Sequence, residues 1–311
     1  MEKHAQTKKT VITDNHNALI ENIRSELGHI NIRLHNFSTK PSPSVLPEDM
    51  HELAKLTEHY LRDDTINGVV ITHGTDTMEE TAYFLDLYLN MKKPVVVTGS
   101  MRNFSELGYD GLSNLLSSIL VAASDLSKNR GVLVVMNDEI NSAVEVTKSH
   151  TLALDTFKSL EFGPIGIIDQ ETVLYYRRTP PRPHYLQPRT LVTAVEIVKC
   201  YAGANSLLLN MLIDSGVRGI VVEALGRGNV PPSMVDGIKR ATDAGIPVVL
   251  TSRCPEGRVL DTYDYPGGGD HLKRLGVVFV KNLNSQKARL KLMFALSDDS
   301  DPDAVRSYFK K

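Results

Sequence analysis

The stretch Gly68–Glu80, GVVITHGTDTMEE, joins a run of β-branched residues directly to the start of a helix. Its first five residues are apolar on both faces without alternation, which is typical of a strand buried in a parallel sheet. Thr77 and Glu80 then have the spacing of a capping box at the start of an apolar helix. The stretch therefore predicts a strand, a short loop and a helix, the first half of a βαβ unit.

The same alternation of short apolar runs and longer helical patterns recurs along the chain. Strands are predicted at Gly68–Thr72, Pro94–Thr98, Gly131–Met136, Gly219–Leu225, Pro247–Thr251 and Gly276–Val280. Helices are predicted at Pro47–Leu61, Thr77–Tyr88, Gly111–Ala123, Ser233–Ala244 and Ser285–Ser297. This order predicts an α/β fold with mostly parallel sheets whose strands are fully buried.

The length of 311 residues and the apolar content of 41% predict two domains. The stretch Arg177–Arg189, RRTPPRPHYLQPR, contains four prolines and cannot form a regular element, because proline fixes φ and lacks a donor. We therefore expect an N-terminal domain at 1–176, a linker at 177–190 and a C-terminal domain at 191–311.

The charge balance and the cysteines exclude several classes of partner. The 35 basic and 37 acidic residues give a net charge of −2, which indicates neither nucleic acid nor a membrane surface as partner, so we expect a small molecule. Cys200 and Cys254 lack metal-ligand spacing, so no disulfide or zinc site is predicted, and both are expected to be buried. No metal or cofactor is predicted. The polar start and the lack of a run approaching ~18 apolar residues predict a cytoplasmic protein.

Ligands of open parallel sheets bind beyond the carboxyl ends of the strands, where Thr75 and Asp76 follow GVVIT. The helix start that comes next suits a carboxylate or a developing oxyanion. Thr75 offers a nucleophile or a donor that positions water, and Asp76 offers an acceptor for an ammonium group or a base. Thr75 to Thr77 could instead only cap the helix.

Lys148 is the predicted partner of this pair, since it follows the turn Asn137–Glu139 at the end of another buried strand. A desolvated lysine can deprotonate a hydroxyl while a carboxylate holds it in place. This chemistry predicts a Thr75–Lys148–Asp76 relay. The alternative is a solvated surface lysine.

Three further polar residues follow predicted strands. Ser100 could hydrogen-bond an amide in a wall of the same pocket. Arg102 could bind a carboxylate or form a structural ion pair. Asn229 could contact a polar substrate or occupy a turn. The spacing Gly226-x-Gly228 lacks the third glycine and the first-strand context of a dinucleotide site.

Four blocks of the chain together resemble the bacterial-type L-asparaginase/glutaminase family. They are GVVITHGTDTMEETAYFLDL, PVVVTGSMR, NRGVLVVMNDEINSAVEVTKSHTLALDTFKS and NSQKARLKLMFAL, and the resemblance runs from about Asn17 to the C-terminus. It implies a larger N-terminal domain with a flavodoxin-like parallel sheet and a smaller C-terminal α/β domain. It also implies hydrolysis of a side-chain amide to acid and ammonia by homo-oligomers, usually tetramers.

The resemblance also implies roles for individual residues. Thr75 matches the second active-site threonine, Asp76 matches the residue that binds the substrate α-amino group, and Lys148 completes the proton relay.

Residues outside this relay match substrate contacts of the family. Ser42, in KPSPSVLPEDM, matches the serine that holds the substrate α-carboxylate. Ser100 matches a small residue whose backbone contacts the amide, and Asn229 matches a position that reaches the neighbouring subunit's site.

The chain departs from the family at its start. The family opens with a strand ending in a T-G-G-T-I-A type motif, whose last threonine is taken as the nucleophile, followed by a lid loop. Here Lys8–Thr13, KKTVIT, runs into Asp14–Asn17 and then an amphipathic segment, Ala18–Leu27. Loss of such a nucleophile typically costs about 10⁴ to 10⁶ in kcat, and Thr13 is the candidate substitute.

Three functions therefore remain open. The first is an L-asparagine amidohydrolase, with L-glutamine as a poorer substrate and an activity impaired by the missing threonine. The second is a non-catalytic homologue that binds aspartate or asparagine or assembles with a complete paralogue. The third is a glutaminase or an amidotransferase subunit, a class that usually carries an additional N-terminal domain.

Overall fold

The computed structural model describes residues 2–3, 10–11, 16–28, 30–90, 92–180, 187–298 and 301–309. The chain divides into two compact units, Met1–Pro181 and Arg182–Lys311. The predicted linker at 177–190 spans this division, and its limits stay a prediction. Arg177, its first residue, donates to the Glu145 carboxylate and to the Gly163 carbonyl, so it is anchored within the first unit.

The first unit contains most of the secondary structure. Its helices are α1 His16–Ile23, α2 Pro47–Leu61, α3 Met78–Tyr88 and α4 Gly111–Ala123. Its strands are β1 Glu2–Lys3, β2 Thr10–Val11, β3 Val69–Thr72, β4 Val95–Thr98, β5 Val132–Met136, β6 Glu139–Ser142, β7 Thr147–Lys148, β8 Phe157–Lys158, β9 Gly166–Asp169 and β10 Thr172–Tyr175.

Six of these strands form one mixed sheet, in the order β10-β9-β6-β5-β4-β3. The strands β3, β4 and β5 run parallel, and the strands from β5 to β10 pair antiparallel. The direction reverses at the two-residue turn Asn137-Asp138, where φ is 52° and 58°. Two positive φ values define a hairpin turn that, among residues other than glycine, asparagine and aspartate tolerate best. The parallel half was predicted, whereas the antiparallel half was not.

The burial of β3 differs from the prediction. Val69–Thr72 was expected to be fully buried, but its first three residues are half-buried and Thr72 is exposed. The prediction was wrong because β3 is the last strand of the sheet within the described residues, whereas β4 and β5 have neighbours on both sides and are buried throughout. Of the predicted opening strand Lys8–Thr13, the structure describes only Thr10–Val11, so Thr13 lies outside the described residues.

The helices α3 and α4 pack against this sheet. Val121 on α4 packs with Val96 and Leu133 in one apolar cluster. On α3, the buried Asp86 accepts the backbone N–H of Val132 at 2.8 Å, so a carboxylate holds the first residue of β5.

The second unit has a smaller, all-parallel sheet. Its strands are β11 Val195–Lys199, β12 Gly219–Ala224, β13 Val248–Ser252 and β14 Val278–Phe279, in that order. Its helices are α5 Leu207–Asp214, α6 Val235–Asp243, α7 Gly269–Arg274, α8 Ser285–Asp298 and α9 Pro302–Phe309. Leu292 of α8 packs so close to Gly219 that a Cβ there would meet it at 2.9 Å.

The predicted fold class, α/β with a larger first and a smaller second domain, is confirmed. The two cysteines differ from each other. Cys200 is buried as predicted, and burial raises the pKa of its thiol to about 12. The prediction for Cys254 was wrong, because this residue lies in the exposed loop after β13.

We expect Asp86→Ala to lower the free energy of unfolding by about 1–3 kcal/mol, since it leaves a buried backbone N–H without its acceptor. Unfolding in urea measures the change. The matched control is Asp125→Ala, which removes an exposed carboxylate paired with Lys128 and should change stability by less than about 0.5 kcal/mol. An equal change of unfolding free energy in the two variants would contradict the stabilising role of the hydrogen bond between Asp86 and Val132.

Candidate active site

The turn after β3 is held against Ser42. A Cβ added to Gly74 would lie 2.8 Å from the Ser42 hydroxyl, so only glycine allows this approach. The same hydroxyl accepts the backbone N–H of Asp76 at 3.2 Å. The Thr77 hydroxyl donates to the Ser42 carbonyl at 2.8 Å and makes no cap to its own helix. The predicted capping box was therefore wrong, because Thr77 fastens the loop of Ser42 instead.

Lys148 reaches this turn from the short strand β7. Its Nζ donates to Thr75 Oγ1 at 2.9 Å and to Asp76 Oδ1 at 2.7 Å, across 73 and 72 residues of sequence. The Lys148 side chain is 17% exposed and that of Asp76 is 60% exposed, so the cluster is open to solvent on the Asp76 side. The structure thus brings together the three residues that the sequence singled out.

His73 fixes the carbonyl of Gly74. Its ring Nδ1 lies 2.7 Å from that oxygen, and its Nε2 lies 2.9 Å from the Thr81 hydroxyl. A carbonyl only accepts, so Nδ1 carries the proton and Nε2 accepts from Thr81. Burial lowers the pKa of His73. A neutral imidazole therefore holds the backbone of the turn through the Gly74 carbonyl.

The loop after β4 forms a neighbouring wall. The Asp110 carboxylate accepts the backbone N–H groups of Met101 and Arg102, both at 2.9 Å. A Cβ on Gly99 would lie 2.3 Å from the His73 carbonyl, so this loop lies directly against the turn of Thr75. Ser100 sits between these contacts.

The side chains of this loop have structural contacts. The Ser100 hydroxyl forms a hydrogen bond with the phenol of Tyr109. The Arg102 guanidinium donates to the carbonyls of Leu107 and Gly108. It therefore stabilises its own loop, whereas the sequence suggested that it binds a carboxylate or forms an ion pair.

Asn229 belongs to the second unit, where it follows β12. Its backbone pairs with Leu225, and Gly228 beside it has a φ of 106°. The Asn229 Oδ1 atom is buried and has no hydrogen-bond partner among the described residues.

Sequence reasoning missed four residues that hold this site, namely His73, Glu79, Asp110 and Asn114. Asn114 is 2% exposed, donates to the carbonyl of Gly99 at 3.0 Å and accepts the backbone N–H of Asn137 at 2.9 Å. The available signal was an amide inside the apolar helix GLSNLLSSIL. A polar residue on a buried face must find partners, and here the partners are two loops at strand ends.

The described residues contain neither a cluster of metal ligands nor a helix that could span a membrane. No group of three or more histidine, cysteine, aspartate or glutamate side chains in that part of the chain is arranged to hold an ion. No helix there has the length and apolarity needed to cross a membrane.

The chain is thus a two-domain α/β protein in which a hydroxyl, a lysine and a carboxylate meet beyond the carboxyl end of a parallel strand. The family description "Asparaginase, N-terminal" matches residues 1–181, and "Glutaminase/Asparaginase C-terminal domain" matches residues 194–309. The chain belongs to the bacterial-type asparaginase family.

Relatives of known name agree with this membership. The chain is 40% identical to "L-asparaginase" of Bacillus licheniformis over 257 residues, covering 83% of this chain and 80% of the relative. It is 40% identical to "L-asparaginase 2" of Escherichia coli K12, over 80% of this chain and 71% of the relative. It is 39% identical to "Probable L-asparaginase periplasmic" of Haemophilus influenzae, over 78% of this chain and 70% of the relative.

The neutral His73 predicts a loss of stability in acid. Its pKa is lowered in the folded state, so the unfolded state binds the proton more readily and stability falls as pH drops below about 6.5. His73→Asn keeps a donor for the Gly74 carbonyl but cannot titrate. Between about pH 7.5 and about pH 5.5, urea unfolding should show a smaller loss of stability in this variant than in the wild type. An equal loss of unfolding free energy in the wild type and in His73→Asn over this pH range would contradict the prediction.

Proposed function

We propose that this protein hydrolyses the side-chain amide of L-asparagine to L-aspartate and ammonia. The observation that carries the proposal is the pair of hydrogen bonds from Lys148 Nζ to Thr75 at 2.9 Å and to Asp76 at 2.7 Å. The relatives named L-asparaginase support the choice of substrate.

In the proposed reaction, Thr75 is the hydroxyl that acts on the amide carbon, either by attacking it or by orienting the attacking water. Lys148 takes the proton of this hydroxyl and passes it to the departing ammonia. The second product, the carboxylic acid, receives its oxygen from water. The backbone N–H groups at the start of α3 lie next to this turn and suit the developing oxyanion.

The remaining roles concern substrate binding. We assign the substrate α-ammonium group to Asp76, which is exposed enough to receive it, and the α-carboxylate to Ser42, whose hydroxyl lies beside the Asp76 backbone. Ser100 is proposed to line the amide through its backbone. Asn229 is proposed to contribute to the site of a neighbouring subunit.

Ammonia release from L-asparagine by the purified full chain tests the proposal. Lys148→Ala should lower kcat by about 10³-fold or more, because it removes one member of an interdependent group. The matched control is Lys158→Ala, an exposed lysine on the strand β8 that pairs with β7, and it should keep wild-type activity. Wild-type ammonia release no greater than that of Lys148→Ala would refute the hydrolase.

The second candidate is a non-catalytic homologue that binds an amino acid. It is favoured by the exposed Asp76 carboxylate, which can accept the ammonium group of an amino acid whether or not a reaction follows. Calorimetric titration with L-aspartate should then show binding that Asp76→Ala abolishes, while no ammonia is released from L-asparagine. Failure of the wild type to bind L-aspartate would exclude this candidate.

We propose further that the protein is a homo-oligomer, a dimer or a tetramer. The helix α5 supports this, since its apolar side chains Leu207, Leu208 and Met211 are 63%, 49% and 59% exposed. Neighbouring apolar side chains of this kind are typical of contact surfaces. The predicted cytoplasmic location stays a prediction, because one of the similar relatives is named as periplasmic.

A further inference from the structure

Glu79 is a buried carboxylate next to the candidate active site. It is the second residue of α3 and is 4% exposed. Its Oε2 accepts the backbone N–H of Lys148 at 2.7 Å, across 69 residues of sequence. A hydrogen bond to a charged acceptor at this distance belongs to the stronger class in proteins. Glu79 therefore binds the same residue whose side chain reaches Thr75 and Asp76.

The backbone of Lys148 needs such a contact. Strand β7 has two residues and, among the described residues, pairs only with the equally short β8, outside the six-stranded sheet. A two-stranded ribbon of this size has little stability of its own. The lysine side chain is long and has many rotamers, so the position of Nζ depends on where its backbone is held.

The turn before α3 and the first turn of this helix supply three contacts of Lys148, in addition to its pairing with Phe157 of β8. Thr75 and Asp76 lie in the turn immediately before α3, and Glu79 lies in its first turn. The Lys148 side chain is bound at one end of this short stretch and its backbone N–H at the other. The position of Nζ is therefore restrained from α3 as well as from the β7–β8 ribbon.

The position of Glu79 in the first turn of α3 suits an acidic side chain. The positive end of the helix dipole and the free N–H groups of the first turn stabilise an acidic residue there. The carboxylate can therefore stay buried while it accepts the Lys148 N–H. A residue without an acceptor at this position would leave that N–H without its partner.

We propose that Glu79 is a positioning residue, which sets the backbone of Lys148 so that Nζ meets the Thr75 hydroxyl. The inference deepens the proposed hydrolysis and rests on it only for the catalytic consequence. The geometric part, that Glu79 restrains Lys148, holds for a hydrolase and for a binding protein alike.

The test compares three variants of the full chain. Glu79→Ala removes the acceptor. Glu79→Gln keeps a side-chain oxygen that can accept the N–H. Val121→Ala opens a cavity in the buried part of α4 and lowers stability without touching Lys148, so it controls for a general loss of stability.

The first readout does not depend on activity. Acetic anhydride is reacted with each folded variant, and the modification of Lys148 is measured by peptide mass spectrometry. Glu79→Ala should acetylate several-fold faster at Lys148 than the wild type, since Nζ is released from Thr75 and Asp76. Glu79→Gln and Val121→Ala should resemble the wild type. Wild-type reactivity in Glu79→Ala, or equal acceleration in Val121→Ala, would overturn the inference.

The second readout is steady-state hydrolysis of L-asparagine. Misplacing the lysine should lower kcat in Glu79→Ala by about 10- to 100-fold with KM near its wild-type value, because the groups assigned to the substrate are unchanged. Glu79→Gln should restore most of kcat. A rise in KM alone would overturn the positioning role. If the wild type releases no ammonia, the proposed function fails while the acetylation result still decides the role of Glu79.

Discussion

The hydrogen bonds from Lys148 Nζ to Thr75 and Asp76 are the contacts on which the candidate site depends. They join two segments that are more than 70 residues apart, and the carboxylate partner is 60% exposed. A partly exposed ion pair contributes little to stability and cannot hold two segments together by itself. The surrounding structure must therefore place both segments independently, and the buried polar residues of the first unit do this.

Carboxylates that accept backbone N–H groups recur in this unit. Asp86 binds the N–H of Val132 at the start of β5, Asp110 binds two N–H groups of the loop after β4, and Glu79 binds that of Lys148. Asp86 and Glu79 join α3 to strands 46 and 69 residues away, whereas Asp110 joins the start of α4 to the loop that precedes it. Because a buried N–H without an acceptor is costly, these contacts restrict the loops more than apolar packing would. Loops at strand ends thereby gain the fixed geometry that catalysis requires.

The candidate active site lies at the end of the strand that forms one edge of the sheet within the described residues. Strand β3, which carries Thr75 and Asp76 at its carboxyl end, is the last strand of its sheet within the described residues and is only half-buried. The anchors of its turn are consequently local, through Ser42 and His73. Thr75 is the hydroxyl that Lys148 contacts, so the proposed hydrolysis rests on this threonine.

The sequence alone determined the elements and the choice of site residues. The helices Pro47–Leu61 and Gly111–Ala123 agree with their predicted bounds, and the relay residues follow from polar positions after apolar runs. Periodicity and strand-end position are local properties, so one stretch of chain reveals them. The tertiary structure decided the antiparallel half of the sheet, the exposure of β3, the bond of Thr77 to Ser42 and the contact of Glu79 with Lys148. Each depends on which distant segment lies opposite, and strand pairing and burial are set by long-range contacts that no local pattern contains.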